Sequence, residues 1–316
     1  MKDLKELFKE FKYQKLAIEL LSSSLEQGRV APTYLFKGPK GVLQKEIAFR
    51  FLEGIADQSI NSKNIRNRLI SGNHPDLYLI EPTYLMQGNL IKQSDAKNES
   101  FKNHIEPQIR VEQIKDLKVF LNKKPVESTL SMALLEDVDT LNESASNALL
   151  KTIEEPTSSV LILISSRPER LLDTIKSRCQ IIPFKPFEND LLNEILIKTN
   201  IKKTLTNMHK ELFYLSNGSP YLLKQNLEII DAIPESIWFK VERLPIKALD
   251  ALLLAKEITE KLTAEQQIWL INWMQQYYWI KKTNSIIIKR LEQLKLHLKS
   301  YVNQKIAWEI ALIDLI

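Results

Sequence analysis

The stretch Gly38-Pro39-Lys40-Gly41-Val42-Leu43-Gln44-Lys45 has the outline of a loop that holds phosphate. A working loop reads G-x-x-x-x-G-K-[ST]. Its backbone N–H groups cradle the phosphates, its lysine reaches their terminal charge, and its hydroxyl holds Mg²⁺. Here the first half is kept, with Gly38 and Gly41, but Leu43 replaces the second glycine, Gln44 the lysine and Lys45 the hydroxyl residue. A side chain at position 43 obstructs close backbone approach and disfavours a left-handed conformation by ~1–2 kcal/mol. Gln44 has no charge to offset a triphosphate. Lys45 brings an ammonium to a position that calls for a magnesium ligand. Its one-residue shift turns it roughly 100° around a helix from the direction of the lost lysine.

A second chemical stretch is Ala133-Leu134-Leu135-Glu136-Asp137-Val138-Asp139. An acidic strand end that serves nucleotide hydrolysis carries Asp and then Glu. One holds the hydration shell of Mg²⁺ and the other orients the attacking water. Here the order is Glu136 then Asp137, so each carboxylate is a methylene away from the usual reach. A displacement of ~1 Å can cost about a hundredfold in rate. The sequence therefore predicts a nucleotide site degraded on both sides.

The elements that must position these residues follow from pattern. Thr33–Lys37 reads as a buried strand, followed by the glycine loop and a helix from about Leu43 to Ile55, the context such a loop requires. Further short apolar runs, at Asp76–Ile80, Met132–Leu135, Val160–Ile164 and Gln180–Phe184, suit parallel strands buried on both faces. Helical patterns at Val111–Asn122, Glu143–Ile153 and Arg170–Ser177 separate them, which predicts an α/β doubly wound parallel sheet. Residues 4–27 are periodic and helical. Residues 83–107 are polar and irregular, as in an exposed loop or mobile hairpin. After Pro186 the strands stop: residues 188–231 read as a small helical unit, Pro234 and Pro245 mark a boundary, and residues 246–316 are helical. Trp269, Trp273 and Tyr277 lie on one face of a helix, a stripe suited to a core or a subunit interface.

Composition sets outer bounds. The 316 residues suffice for two or three domains, and 44% hydrophobic with 26% charged residues is ordinary for a globular chain. No apolar run approaches the ~18–20 residues that span a bilayer, and the N-terminal residues lack the apolar stretch of a secretory signal. The single cysteine, Cys179, excludes an internal disulfide and is in keeping with a cytoplasmic location. A net charge of +5 permits contact with nucleic acid without requiring it.

The stretch Asn147-Ala148-Leu149-Leu150-Lys151-Thr152-Ile153-Glu154-Glu155-Pro156 resembles the N-A-L-L-K-x-[LI]-E-E-P signature of clamp-loader AAA+ subunits. Ser165-Ser166-Arg167 is similar to the family's first sensor, and Ser177-Arg178-Cys179 to its S-R-C motif. His74-Pro75-Asp76 and Gln108-Ile109-Arg110-Val111 are similar to landmarks of the bacterial branch. The resemblance covers most of residues 10–225 and, more weakly, the rest. It implies a RecA-like AAA+ domain over 1–185, a helical lid over 186–235 and an all-α collar over 236–316.

Within this family the motor subunits keep a complete loop, whereas the delta-prime type commonly does not, so the broken Gly38–Lys45 loop selects the delta-prime type. The resemblance implies partners: delta, the gamma/tau motor subunits and, through the complex, the sliding clamp and primed DNA, within the DNA polymerase III assembly. It implies that Arg178 serves as an arginine finger on a neighbour's ATP, with Ser177 capping or positioning its turn, and that the chain has no ATPase of its own. Members often carry a four-cysteine zinc module before H-P-D. Here residues 61–68 hold no cysteine, so no zinc is expected. Tyr221 stands near the place of the second-sensor arginine. The competing readings are an ATP-hydrolysing motor subunit, opposed by Leu43 and Gln44, and a stand-alone DNA-binding module.

Overall fold

The computed structural model describes residues 7–11, 13–56, 62–86, 88–95, 106–155, 158–198, 211–282, 285–300 and 303–316. The chain divides into two compact units, Met1–Phe187 and Glu188–Ile316. The first boundary falls two residues beyond the one read from the sequence. The further division near residue 235 remains an expectation.

The first unit is an α/β layer structure. Strands β1 (Thr33–Lys37), β2 (Leu77–Ile80), β5 (Ser131–Leu135), β6 (Ser159–Ser165) and β7 (Gln180–Pro183) form one parallel sheet in the order β2-β5-β6-β1-β7. Strands β5 and β6 are buried at every position, as the unbroken apolar runs required. Helices α1 (Lys15–Glu26), α2 (Gln44–Ala56), α3 (Ser62–Ile70), α4 (Val111–Leu121), α5 (Glu143–Glu154) and α6 (Asp173–Lys176) join or flank them. One core cluster gathers Leu35, Leu135, Leu161 and Leu163 from the sheet with Ile114, Leu117 and Leu149 from α4 and α5.

Register brings the carboxyl ends of the central strands together: Lys37 pairs with Ser165, and Leu135 with Leu163. The loop after β1 and the acidic turn after β5 therefore flank the end of β6, the edge where open α/β sheets take ligands.

Two sequence expectations need adjustment. The helical region read over 4–27, of which residues 4–6 and 12 lie outside the described residues, is interrupted: α1 starts only at Lys15, after Gln14, whose backbone (φ -103°, ψ 51°) is not helical and whose amide is buried. That amide donates to the carbonyls of Val42 and Lys185, and its Oε1 accepts from the Lys185 N–H. Of the helix read over Arg170–Ser177 only the short α6 forms; a one-turn 3₁₀ segment at Pro168–Arg170 precedes it, and Leu172, at ψ 136°, separates the two. The polar stretch from residue 83 holds a two-stranded antiparallel hairpin, β3 (Thr83–Met86) with β4 (Asn89–Lys92); residues 96–105 of it lie outside the described residues.

The second unit is helical throughout its described length: α7 (Asn189–Lys198), α8 (Glu211–Ser216), α9 (Pro220–Ala232), α10 (Glu235–Arg243), α11 (Ala248–Lys261), α12 (Ala264–Lys282), α13 (Ser285–Lys299) and α14 (Gln304–Ile313). The Trp269/Trp273/Tyr277 stripe is core. All three side chains are buried, Trp238 packs edge-on against both tryptophans, and the Trp269 indole donates to Asn226 of α9 at 2.8 Å. No described helix is long and apolar enough to cross a membrane.

Candidate functional site

The loop Gly38–Lys45 has the backbone shape of a phosphate loop, with three side chains that differ from the motif. Gly41 has φ +76° and Leu43 φ +73°, so Leu43 adopts the left-handed conformation that its side chain disfavours. The surrounding packing holds it there. Val42 is fully buried, Gln14 grips its carbonyl, and α2 begins immediately at Gln44. Gly38 is required for space: a Cβ there would lie 2.5 Å from the Phe184 carbonyl oxygen. A non-glycine residue held at positive φ is a strained feature and points to the requirement of the loop's shape.

Gln44 is 3% exposed, and its amide turns back to donate to the Gly38 carbonyl at 3.1 Å. The side chain that should reach a phosphate instead closes the loop on itself. Lys45 points to the acidic turn, with Nζ 2.5 Å from Glu136 Oε1. Lys40, on the other arm of the loop, reaches Asp137 Oδ2 at 2.5 Å. Both carboxylates of the degenerate acidic motif are thus neutralised by lysines of the degenerate loop. Burial pushes the Glu136 carboxyl above its ordinary range, ahead of the opposing attraction of Lys45. Asp137 also has positive φ, at +49°.

Sequence reasoning did not assign a role to three groups, two at this edge and one at the opposite, amino ends of the strands. Asp139 is 7% exposed; it accepts from the Ser165 hydroxyl, the Ser166 N–H and the Arg167 Nε, tying the acidic turn to the end of β6. Its signal was the third carboxylate in Glu136-Asp137-Val138-Asp139. Lys40 occupies a variable position of the loop motif and had no signal. Asp76, in the H-P-D landmark, accepts the backbone N–H groups of Val126, Glu127 and Ser128 at 2.6, 2.7 and 2.6 Å. Its partners lie about fifty residues away, so the role is invisible in one dimension.

Arg178 is remote from these residues. It precedes Gln180, which pairs with Tyr34 near the start of β1, whereas the loop begins after the end of β1. At ~3.3 Å per strand residue this places it roughly 15 Å away, toward the opposite edge of the sheet. Its guanidinium is about 42% exposed, pairs with Glu154 Oε1 at 2.8 Å and donates to the Thr174 carbonyl at 2.9 Å. The Ser177 hydroxyl donates to the same carbonyl at 3.0 Å, closing the turn after α6. Cys179 is half-buried, and burial pushes its thiol up to about 11, which makes it an inert packing group. Tyr221 lies in the first turn of α9 behind the Ser219 cap, exposed, and its hydroxyl accepts from Gln225 one turn on.

Residues 13–188 match the family described as "DNA polymerase III, delta subunit", and residues 190–315 match "Cyanobacterial DNA polymerase III delta prime, C-terminal domain". The chain is 33% identical over 195 residues to the DNA polymerase III subunit delta' of Bacillus subtilis, covering 60% of this chain and 52% of that protein. It is 33% identical over 156 residues to the Pseudomonas aeruginosa subunit delta', covering 47% and 42% respectively. The matched stretch therefore spans about half the length of these relatives. A crystal structure of a DNA polymerase III gamma subunit-related protein from Thermotoga maritima shares the fold over 93% of this chain and 97% of its own, with TM-score 0.52 and 15% identity.

Proposed function

This chain belongs to the bacterial DNA polymerase III delta-prime clamp-loader family, and from that premise we propose that it is a loader's ATPase-inactive member, a structural partner that lends Arg178 to the ATP of an adjacent motor subunit. The observation that carries the reading is the division of chemistry within one domain. The chain's own nucleotide edge is filled by Gln44, Lys45 and Lys40, while a partly exposed arginine stands toward the other edge of the sheet. An arginine so placed can serve phosphate only in another chain.

Its partners are delta, the gamma/tau motor subunits, the sliding clamp and primed DNA, in the cytoplasm. Assembly is supported by the outer face of the helical unit. Leu249 and Leu253 of α11 are exposed, as are Ile306, Ile310 and Ile313 of α14, which packs against α11. Apolar rows on neighbouring helices are the surface that association buries. The chain holds no nucleotide and no zinc of its own.

The test is reconstitution. Titration calorimetry of the isolated chain with ATP–Mg²⁺ is expected to give no submicromolar binding. The chain is expected to co-purify with delta and motor subunits, and to lose them when residues 246–316 are removed. Tight ATP binding would return the chain to the motor class. Steeply salt-dependent binding of DNA by the chain alone would favour the DNA-module reading.

A further inference from the structure

The two loop-to-strand ion pairs do more than record a lost activity. In a working site of this type, the acidic turn faces a divalent cation whose charge holds loop, carboxylates and phosphates together. Removing the cation from such a site leaves carboxylates facing one another. Glu136 and Asp137 are adjacent in sequence, and Glu81 adds its charge to the field at Glu136. Glu136 is also about three-quarters covered. An uncompensated carboxylate there is costly.

We infer that the ammonium groups of Lys45 and Lys40 are the resident cations of this edge, taking over the charge of a divalent ion between loop and acidic turn, so that its closed arrangement needs neither metal nor nucleotide. Three observations converge. Each carboxylate has its own lysine at 2.5 Å, and the lysines come from opposite arms of the loop. Lys45 is the residue that replaces the hydroxyl ligand, so the substitution that removes a metal ligand also supplies the replacement charge. The loop keeps its shape although Leu43 stands at positive φ, a strained position that its own neighbours must hold. The Gln44 amide on the Gly38 carbonyl and Gln14 on the Val42 carbonyl complete that hold.

This deepens the inactive-site part of the proposed function, and its test contains no nucleotide, so the two fail separately. The full chain is melted in EDTA and in millimolar Mn²⁺. The wild type is expected to melt at the same temperature in both. Lys45→Ser exposes Glu136 and restores an oxygen ligand. It is expected to melt roughly 2–4 °C lower in EDTA, to recover with Mn²⁺, and to bind Mn²⁺ in an electron paramagnetic resonance titration. The double variant Lys45→Ser/Glu136→Gln removes both charges; it is expected to melt above the single variant in EDTA and to ignore Mn²⁺. A wild type stabilised by Mn²⁺ would overturn the inference. So would a single variant as stable as wild type in EDTA, or one indifferent to Mn²⁺. If the single variant failed to fold, a double variant that also failed would overturn it.

Discussion

Arg178 is paired with Glu154 of its own chain at 2.8 Å, both side chains being more than two-fifths exposed. The proposed finger is thus parked on the carboxylate of the Glu154-Glu155 motif that ends α5. A surface ion pair of this kind is worth only ~0–1 kcal/mol. A neighbour's phosphate, which offers more charge and a matching set of acceptors, can displace Glu154 at little cost. The pair keeps the guanidinium oriented without holding it fast.

Arg178→Ala is therefore expected to leave folding and assembly intact while lowering the clamp- and DNA-stimulated ATPase of the reconstituted loader. Complete fingers are worth ~10³–10⁵ in rate, but the total loss is expected to be far smaller, because in the proposed arrangement one of several ATP sites would receive this arginine. Arg178→Lys is expected to rescue little, since it loses the planar fork. Glu154→Gln weakens the parking and is expected to leave steady-state turnover at or above wild type. Normal turnover and clamp loading in the Arg178→Ala complex would leave the chain purely structural.

Asp76 is expected to be one of the most sensitive positions of the α/β unit. Burial alone would raise its carboxyl pKa. The N–H groups of Val126, Ser128 and Glu127 outweigh burial and hold it below the ordinary value. A depressed pKa stabilises the fold above the unfolded value, and the contribution disappears as pH falls through the folded value. Asp76→Ala leaves three N–H groups without this acceptor and is expected to cost about 2–4 kcal/mol at neutral pH. The difference from wild type should shrink below about pH 4. Denaturant melts at neutral and acidic pH check both statements.

The sheet was legible because strands buried on both faces are written as unbroken apolar runs. Thr33–Lys37 is the strand read from sequence, and the others differ by one or two residues at their ends. The helices of the second unit were legible in period but not in direction. Leu249, Leu252 and Leu253 share a helical face, yet it faces outward, and Ala251, Leu254, Ala255 and Ile258 form the buried side of α11. Periodicity reports a stripe without naming what covers it. At the site, the losses at Leu43, Gln44 and Lys45 were readable from a linear motif. The ion pair of Lys40 with Asp137 and the Asp76 staple join distant segments, and no spacing rule encodes them.

Glu257 of α11 makes a second pH-dependent clasp. It accepts from Lys240 and Ser236 of α10 and from Lys261 one turn on, and these bonds hold its carboxyl down to about 2. The stabilisation is present above the ordinary glutamate value near 4.5 and is lost as pH falls from there toward 2. Glu257→Gln is expected to lower the melting temperature of the helical unit at pH 7 and to leave it little changed at pH 2 and below. An equal deficit at both pH values would show that the charge is not what joins α10 to α11.

On the proposed reading of an inactive site, the retained loop backbone makes nucleotide binding recoverable. The left-handed conformations at Gly41 and Leu43 already exist, α2 starts at position 44, and strand–loop–helix order is intact. What is missing is side-chain chemistry at three consecutive positions. Leu43→Gly relieves strain of ~1 kcal/mol at a positive φ and opens the backbone to phosphate. Gln44→Lys supplies the charge that reaches the terminal phosphates and removes the amide that now closes on Gly38. Lys45→Thr restores a magnesium ligand and frees Glu136. The triple variant is expected to bind ATP–Mg²⁺ at least tenfold more tightly than the wild type by titration calorimetry. It is expected to hydrolyse it poorly, because Glu136 and Asp137 remain in the wrong order and a ~1 Å misplacement costs about a hundredfold. Binding should require the metal, since the ammonium of Lys45 no longer supplies its charge. A stably folded triple variant with no gain in ATP affinity would show that the loop keeps the outline of a phosphate cradle without its usable N–H geometry.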